Sequence, residues 1–216
     1  LFRKRHDSYL YRLVIFSIFV VKQQEMKIFL GCFVLSLFWT TAIYGQKVSN
    51  IKMVDAVTNQ EYTLDQNKSA TAQVFIFYTL KCPYSKLYNS RIKALKEKYA
   101  SSKITFALVN PHAGQESETQ EKLSVLPFAK DNNLPFLMDG QQVFTKMTEV
   151  KKIPEVVVIT SGPTGFSIAY RGAIDNNAQA MQSATVHHLS AALDDLVNRD
   201  RPSPTITRAV GCNIKY

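Results

Sequence analysis

Gln73-Val-Phe-Ile-Phe-Tyr78 is a short, almost wholly apolar run, and it constrains the chain more than any other feature. A strand open to water on one face alternates apolar and polar residues. A run apolar at nearly every position belongs to a strand covered on both faces, which needs a layer above and a layer below. Behind it, from Pro83 to about Tyr99, Tyr84, Leu87, Tyr88, Ile92, Leu95 and Tyr99 recur at helical spacing. Lys and Arg fill the opposite face, so the spacing predicts an amphipathic helix with a solvated basic side, Lys86, Arg91, Lys93 and Lys96.

The alternation continues downstream. Lys103–Val109 reads as a second strand. Ser117 and Gln120 have the spacing of a capping box for a helix over Glu118–Asp131, which Pro127 is expected to kink or interrupt. Leu134–Met138 and Glu155–Thr160 are further strands, and Gly162-Pro163-Thr164-Gly165 turns the chain into a returning strand, Phe166–Arg171. Thr185 is placed to cap a last helix with Val186, Leu189, Leu193, Leu196 and Val197 on its apolar face. Residues 46–72 form a β prelude with a turn at Asp55–Asn59, residues 73–198 the main domain, and residues 199–216 a polar, Pro-punctuated tail carrying Cys212. Strands alternating with helices, closed by a hairpin and a helix, predict an α/β domain with a mixed sheet.

Composition narrows the function classes. Hydrophobic residues are 46% and charged residues 20%, which is globular and excludes a disordered or fibrous chain. Three cysteines in 216 residues are too few for a disulfide scaffold. The formal charge is +9, of which +4 lies in residues 1–45. No block of like charge makes a nucleic-acid arm, so no nucleic-acid partner is expected.

Residues 1–45 hold two apolar stretches, Tyr9–Val21 behind Arg3-Lys4-Arg5, and Ile28–Tyr44 behind Met26-Lys27. Both are shorter than the roughly 18–20 residues of a committed membrane span. The second has the form of a secretory signal, with cleavage after Ala42 or Gly45 and Met26 as the working start. Cys32, in Leu30-Gly31-Cys32, then leaves with the signal. The competing reading keeps residues 1–45 as an uncleaved membrane anchor, the only route to a membrane contact. Export across the cytoplasmic membrane, to a bacterial periplasm or envelope, places the chain in an oxidising compartment where Cys82 and Cys212 are able to pair.

Cys82 carries the chemistry. It stands after the first buried strand and directly before Pro83, a residue favoured at the first helical position. Exposed backbone N–H groups at a helix start, with Lys81, Lys86 and Arg91 nearby, lower a thiol's pKa and make a nucleophile. The bland alternative, a small buried residue at a strand end, fits the placement equally well.

Phe77-Tyr78-Thr79-Leu80-Lys81-Cys82-Pro83-Tyr84-Ser85 resembles the active-site strand-to-helix turn of the thioredoxin superfamily, and Lys152-Ile153-Pro154-Glu155 resembles its cis-proline turn. Tyr170-Arg171-Gly172-Ala173-Ile174-Asp175 and Ala209-Val210-Gly211-Cys212-Asn213-Ile214-Lys215 are similar to pieces of one branch, the redoxins grouped with alkyl hydroperoxide reductase and thiol-specific antioxidant, the peroxiredoxin-like proteins. The resemblance implies a thioredoxin-like three-layer α/β/α sandwich with a mixed central sheet, spanning 73–198. It implies a catalytic Cys82, with Thr79 and the helix start holding substrate and Cys212 as a resolving thiol; a structural disulfide or a free thiol stays open for Cys212. It also implies that Pro83, Ile153 and Pro154 line the site, Ile153 and Pro154 as a cis peptide that receives an extended partner strand, and that Arg171 is available to bond a thiolate or peroxide. An arginine on a hairpin is otherwise a solvated or salt-bridged residue.

The departures from the pattern decide between activities. Ser85 stands where a dithiol motif has its second cysteine, so exchange within that motif is excluded. Thr79 three residues before Cys82 fits the peroxiredoxin pattern, but Phe75 replaces that pattern's upstream proline, and Lys86 stands where a copper-assembly pair would have its second cysteine. His112 follows a strand's carboxyl end and is able to approach Cys82, though a solvated loop histidine reads as well. Adjacent His187 and His188 point about a quarter-turn apart and do not chelate. No metal or cofactor site is expected. The expectation is an exported redoxin in which Cys82 acts on a hydroperoxide or a partner disulfide, with an external thiol reductant or an envelope protein disulfide as partner. Two other readings stand beside it: a redox-inactive module that docks an extended segment at the Pro154 groove, and a redox-maintenance protein for exported thiols or haem-attachment cysteines.

Overall fold

The computed structural model describes residues 46–113 and 118–216. At its centre lies β4 (Ala72–Phe77), buried at every position. Val74 and Ile76 enter one apolar core and Phe75 and Phe77 another, because successive side chains of a pleated strand point to opposite faces. β5 (Ile104–Asn110) pairs with it in parallel on one side and β8 (Glu155–Gly162) antiparallel on the other. With β1 (Lys47–Val48), β2 (Lys52–Asp55), β3 (Glu61–Thr63), β6 (Phe136–Met138) and β9 (Gly165–Gly172), the mixed sheet runs β1-β9-β8-β4-β5-β6-β2-β3. Separately, β7 (Lys152–Ile153) pairs antiparallel with β10 (Cys212–Asn213).

Each face of the sheet is covered. On one, Ile92 of α2 (Asn89–Lys98), Val125 and Ala129 of α3 (Glu118–Asp131), and Leu189 and Leu193 of α5 (His188–Val197) meet Val74, Ile76 and Val158. On the other, Phe144 of α4 (Val143–Met147) sets its ring edge-on to Phe75 at 5.0 Å and stacked on Phe77 at 5.8 Å. Leu64, Cys82, Ile153 and Ile214 complete that second core. The result is the expected thioredoxin-like α/β architecture with a mixed central sheet, and it brings the loop after β4, the Pro154 turn and the Cys212 segment into one core.

Several elements differ from the sequence reading. The stretch from Pro83 to Tyr99 is not one helix; α1 (Pro83–Leu87) ends at Tyr88, whose N–H bonds the Ser85 carbonyl at 3.0 Å in a tightened last turn. The break seats Tyr88 in the core and leaves Leu87 exposed. Arg91 is buried rather than solvated. Its Nη1 donates to both carboxylate oxygens of Asp175, at 3.0 and 2.9 Å, and to the Asn177 carbonyl at 2.7 Å, while its guanidinium lies 4.1 Å from the Tyr88 ring centre. Thr185 does not cap α5, which starts behind His187; its N–H and hydroxyl both pair with the Asn176 side chain, and Val186 and Val197 stay exposed. α3 runs through Pro127 as one element. The capping box of Ser117 and Gln120, and every reading on residues 1–45, fall outside the described residues and side chains.

The Arg91–Asp175 pair joins α2 to the loop after β9 with both side chains only 3% exposed. Removing one partner strands a buried charge. Asp175→Ala is expected to lower unfolding stability by about 3–5 kcal/mol in urea titration. A loss near zero would show that the pair does not hold these elements together.

Candidate functional site around Cys82 and Cys212

The site grows from the end of β4. The Tyr78 N–H still bonds the Val109 carbonyl at 2.9 Å, keeping the chain in the sheet; the next residues then turn, with the Cys82 N–H donating to the Thr79 carbonyl at 3.3 Å. Cys82 takes extended backbone angles at the N-cap of α1 and Pro83 opens the helix, where its missing N–H costs nothing. Ser85, one turn on, is fully buried, and its Oγ accepts the Thr79 N–H at 3.4 Å, so the hydroxyl ties the turn to the helix. Thr79 is buried too, with its hydroxyl accepting the Lys81 N–H at 3.3 Å.

Cys82 and Cys212 form a disulfide with their Cα atoms 5.8 Å apart. Cys82 is 1% exposed, and its Sγ lies 3.1 Å from the Ile153 carbonyl oxygen. The peptide bond from Ile153 to Pro154 is cis. In β10, Cys212 pairs with Ile153 and Asn213 with Lys152. The Ile214 N–H then donates to the Lys151 carbonyl at 3.0 Å while the Ile214 side chain enters the second core. Gly211 permits this close approach, since a Cβ there would overlap the Ile153 carbonyl. Glu155, buried behind Pro154, accepts the N–H groups of Lys151 and Lys152, each at 2.9 Å, and so fixes β7, the strand that pairs with the Cys212 segment.

Of the residues expected at the site, Cys82, Thr79, Pro83, Ile153, Pro154 and Cys212 come together. Arg171 does not join them. Its Nη1 donates to the Thr148 carbonyl at 2.8 Å and pairs with Glu149 at 3.0 Å, bracing the loop that leads into β7. His112 is not a free loop histidine; its Nε2 accepts the Lys215 N–H at 3.4 Å. Burial, with Lys81 and Lys215 nearby, pushes its pKa below the ordinary 6.5. Glu155, Gln142 and the pairing of β10 with β7 stand outside the residues expected from the sequence. Only the last had a sequence signal, the period-2 placement of Cys212 and Ile214 after a glycine. Among the described residues no cluster of His, Cys, Asp or Glu is placed to hold a metal ion.

A parallel-antiparallel sheet with a cysteine at the strand-to-helix turn and a cis-proline turn facing it defines a thioredoxin-like protein. The redoxin family matches residues 44–193, and the chain belongs to that family. Solved structures share its fold. A hypothetical protein from Sinorhizobium meliloti has a TM-score of 0.69 at 20% identity, covering 82% of this chain and 96% of that one. An uncharacterized conserved protein from Geobacillus kaustophilus has 0.69 at 19%, covering 82% and 94%. The C-terminal domain of a Bacteroides thetaiotaomicron protein described as a thiol-disulfide oxidoreductase has 0.50 at 14%, covering 72% and 97%. No curated protein matches.

His112 gives the site a pH signature. Its folded pKa lies below the unfolded value, so the unfolded chain binds the proton more readily, and the stability its neutral form contributes is lost as pH falls below about 6.5. Urea unfolding at successive pH values from about 7 to about 5 should show a steeper loss for the wild type than for His112→Asn. Equal slopes would contradict the placement of His112 against Lys215.

Proposed function

We propose that this redoxin is an exported thiol–disulfide oxidoreductase whose working pair is Cys82 and Cys212. The position of Cys212 carries the reading. It lies on a strand antiparallel to β7, opposite Ile153 and beside the cis bond to Pro154, with its sulfur on Cys82. An extended cysteine-bearing segment of another protein would meet the same strand edge and the same sulfur, so the chain's own segment stands where a partner's would.

The chemistry follows from that arrangement. With both cysteines reduced, the Cys82 thiolate attacks a partner disulfide; one S–S bond forms to Cys82 and the second partner sulfur leaves as a thiolate. The Cys212 thiolate then attacks Cys82, closing the internal disulfide and releasing the partner as a dithiol. Two electrons have passed to the partner, and an external thiol reductant restores the pair. Thr79 and Ser85 hold the turn that presents Cys82, and Ile153 supplies the neighbouring backbone. Work outside the cytoplasm is supported by the signal-like Met26-Lys27 and Ile28–Trp39 and by the pairing of Cys82 with Cys212.

A hydroperoxide is the alternative substrate, supported by Thr79 at its spacing from Cys82. There the thiolate takes one oxygen to become a sulfenic acid, releasing alcohol or water, and Cys212 condenses with it, releasing water. The engagement of Arg171 with Thr148 and Glu149 leaves the disulfide substrate as the better fit.

Reduced protein offered glutathione disulfide or, separately, hydrogen peroxide distinguishes these chemistries by which one closes Cys82–Cys212 within seconds. Cys82→Ser is expected to abolish turnover, and Cys212→Ser to accumulate Cys82 in a mixed disulfide visible by mass. Closure by peroxide alone would make the protein a peroxidase. Closure by neither would leave the docking module.

A further inference from the structure

The residues that follow Cys212 are held by groups that take no part in sulfur chemistry. Lys215 has left the β7 edge, yet both of its backbone groups are satisfied. Its N–H reaches His112 Nε2 at 3.4 Å, and its carbonyl accepts from Gln142 Nε2 at 2.7 Å. The same Gln142 nitrogen donates to the Pro111 carbonyl at 3.0 Å, so one buried amide joins the end of β5 to the Cys212 segment. The Tyr216 hydroxyl bonds the Val150 carbonyl.

Gln142 is itself firmly placed. It sits at the head of α4 in a left-handed conformation, φ 56° and ψ 30°, with its N–H on the Asp139 carbonyl at 3.0 Å. The Asp139 carboxylate accepts the Phe144 and Thr145 N–H groups at 3.3 and 2.7 Å, pinning the start of that helix. Nothing in the pattern of residues 139–145 marks Gln142 as part of a redox site, and it lies far from Cys82 in sequence.

We propose that Gln142 is a positioning residue for Cys212: its side-chain amide latches Lys215 so that the Cys212 thiol stays docked beside Cys82 when the disulfide is reduced. The inference rests on the reading of Cys82 and Cys212 as a redox pair. Reduction breaks the S–S bond and leaves the Gln142, His112, Ile214 and Tyr216 contacts intact. The second thiol therefore reacts from a held position, at a high effective concentration, rather than from a free chain end. Internal closure then outruns capture of Cys82 by another thiol, and a partner gains access to the β7 edge only by lifting the segment.

The test is redox equilibrium of the full chain with glutathione. Protein dithiol plus glutathione disulfide gives the internal disulfide plus two glutathiones, and the equilibrium constant is the effective concentration of one protein thiol at the other. Gln142→Ala and the nearly isosteric Gln142→Glu, which loses the amide donor, should each lower that constant roughly threefold to tenfold, the worth of a hydrogen bond. Each should also raise the Cys82–glutathione mixed disulfide. The alkylation rate of Cys82 in a Cys212→Ser background should not fall, since Gln142 holds the segment that covers Cys82 and not Cys82 itself. Wild-type constants in both variants, a wild-type constant in Gln142→Glu alone, or a slower Cys82 alkylation would each overturn the latch. A wild-type chain that forms no internal disulfide would instead overturn the redox pair itself.

Discussion

Burial of β4 on both faces is the constraint from which the rest of the structure follows. Six consecutive buried residues have to be covered by helices on one side and by α4 and the prelude on the other, and each layer is recruited from a different part of the chain. The carboxyl end of such a strand is also where the sheet stops satisfying the backbone, so the chain must turn at once. Cys82 sits in that turn, in one core with Phe77, Phe144 and Ile153. Its position is therefore a product of the core.

The second cysteine arrives by a different route. Cys82 and Cys212 are separated by 130 positions in sequence, and a cross-link over such a loop removes about 5 kcal/mol of chain entropy from the unfolded state. Reduction returns that freedom to the unfolded chain. The folded chain keeps the two sulfurs near each other through the β7 pairing, the buried Ile214 side chain and the bonds to Lys215. Glu155 and Arg171 support the same assembly one step back, the first by fixing β7 and the second by bracing the loop before it. The charged residues of this region thus serve β7, the strand against which the Cys212 segment pairs, rather than Cys82 itself.

Much of this was legible in the sequence because it depends on local pattern. The apolar run at Gln73–Tyr78, the hairpin turn at Gly162–Gly165 and the alternating order of strands and helices are each readable from a few neighbouring residues. The turn around Cys82 and the Pro154 turn were legible by resemblance, in their order along the chain. What escaped depends on contacts distant in sequence. Arg91 looks like one more cation on a basic helix face, and it is Asp175 and the Asn177 carbonyl, brought from the loop after β9, that make its burial tolerable. Tyr88 breaks its helix to enter the core, with no proline or glycine to mark the place. Gln142 and Glu155 act on backbone groups of remote or turning segments, which no residue spacing encodes. The pairing of β10 with β7 involves two residues on each strand, so the alternation of Cys212 and Ile214 behind Gly211 is its one mark in the sequence.

The partnership of Cys82 and Cys212 is tested most directly by acid-quenching the protein as isolated without reductant, alkylating free thiols, and mapping the peptides by mass spectrometry. One linked species joining the Cys82 and Cys212 peptides is expected, separating into two alkylatable peptides after reduction. Alkylated Cys82 and alkylated Cys212 in the unreduced sample would contradict it.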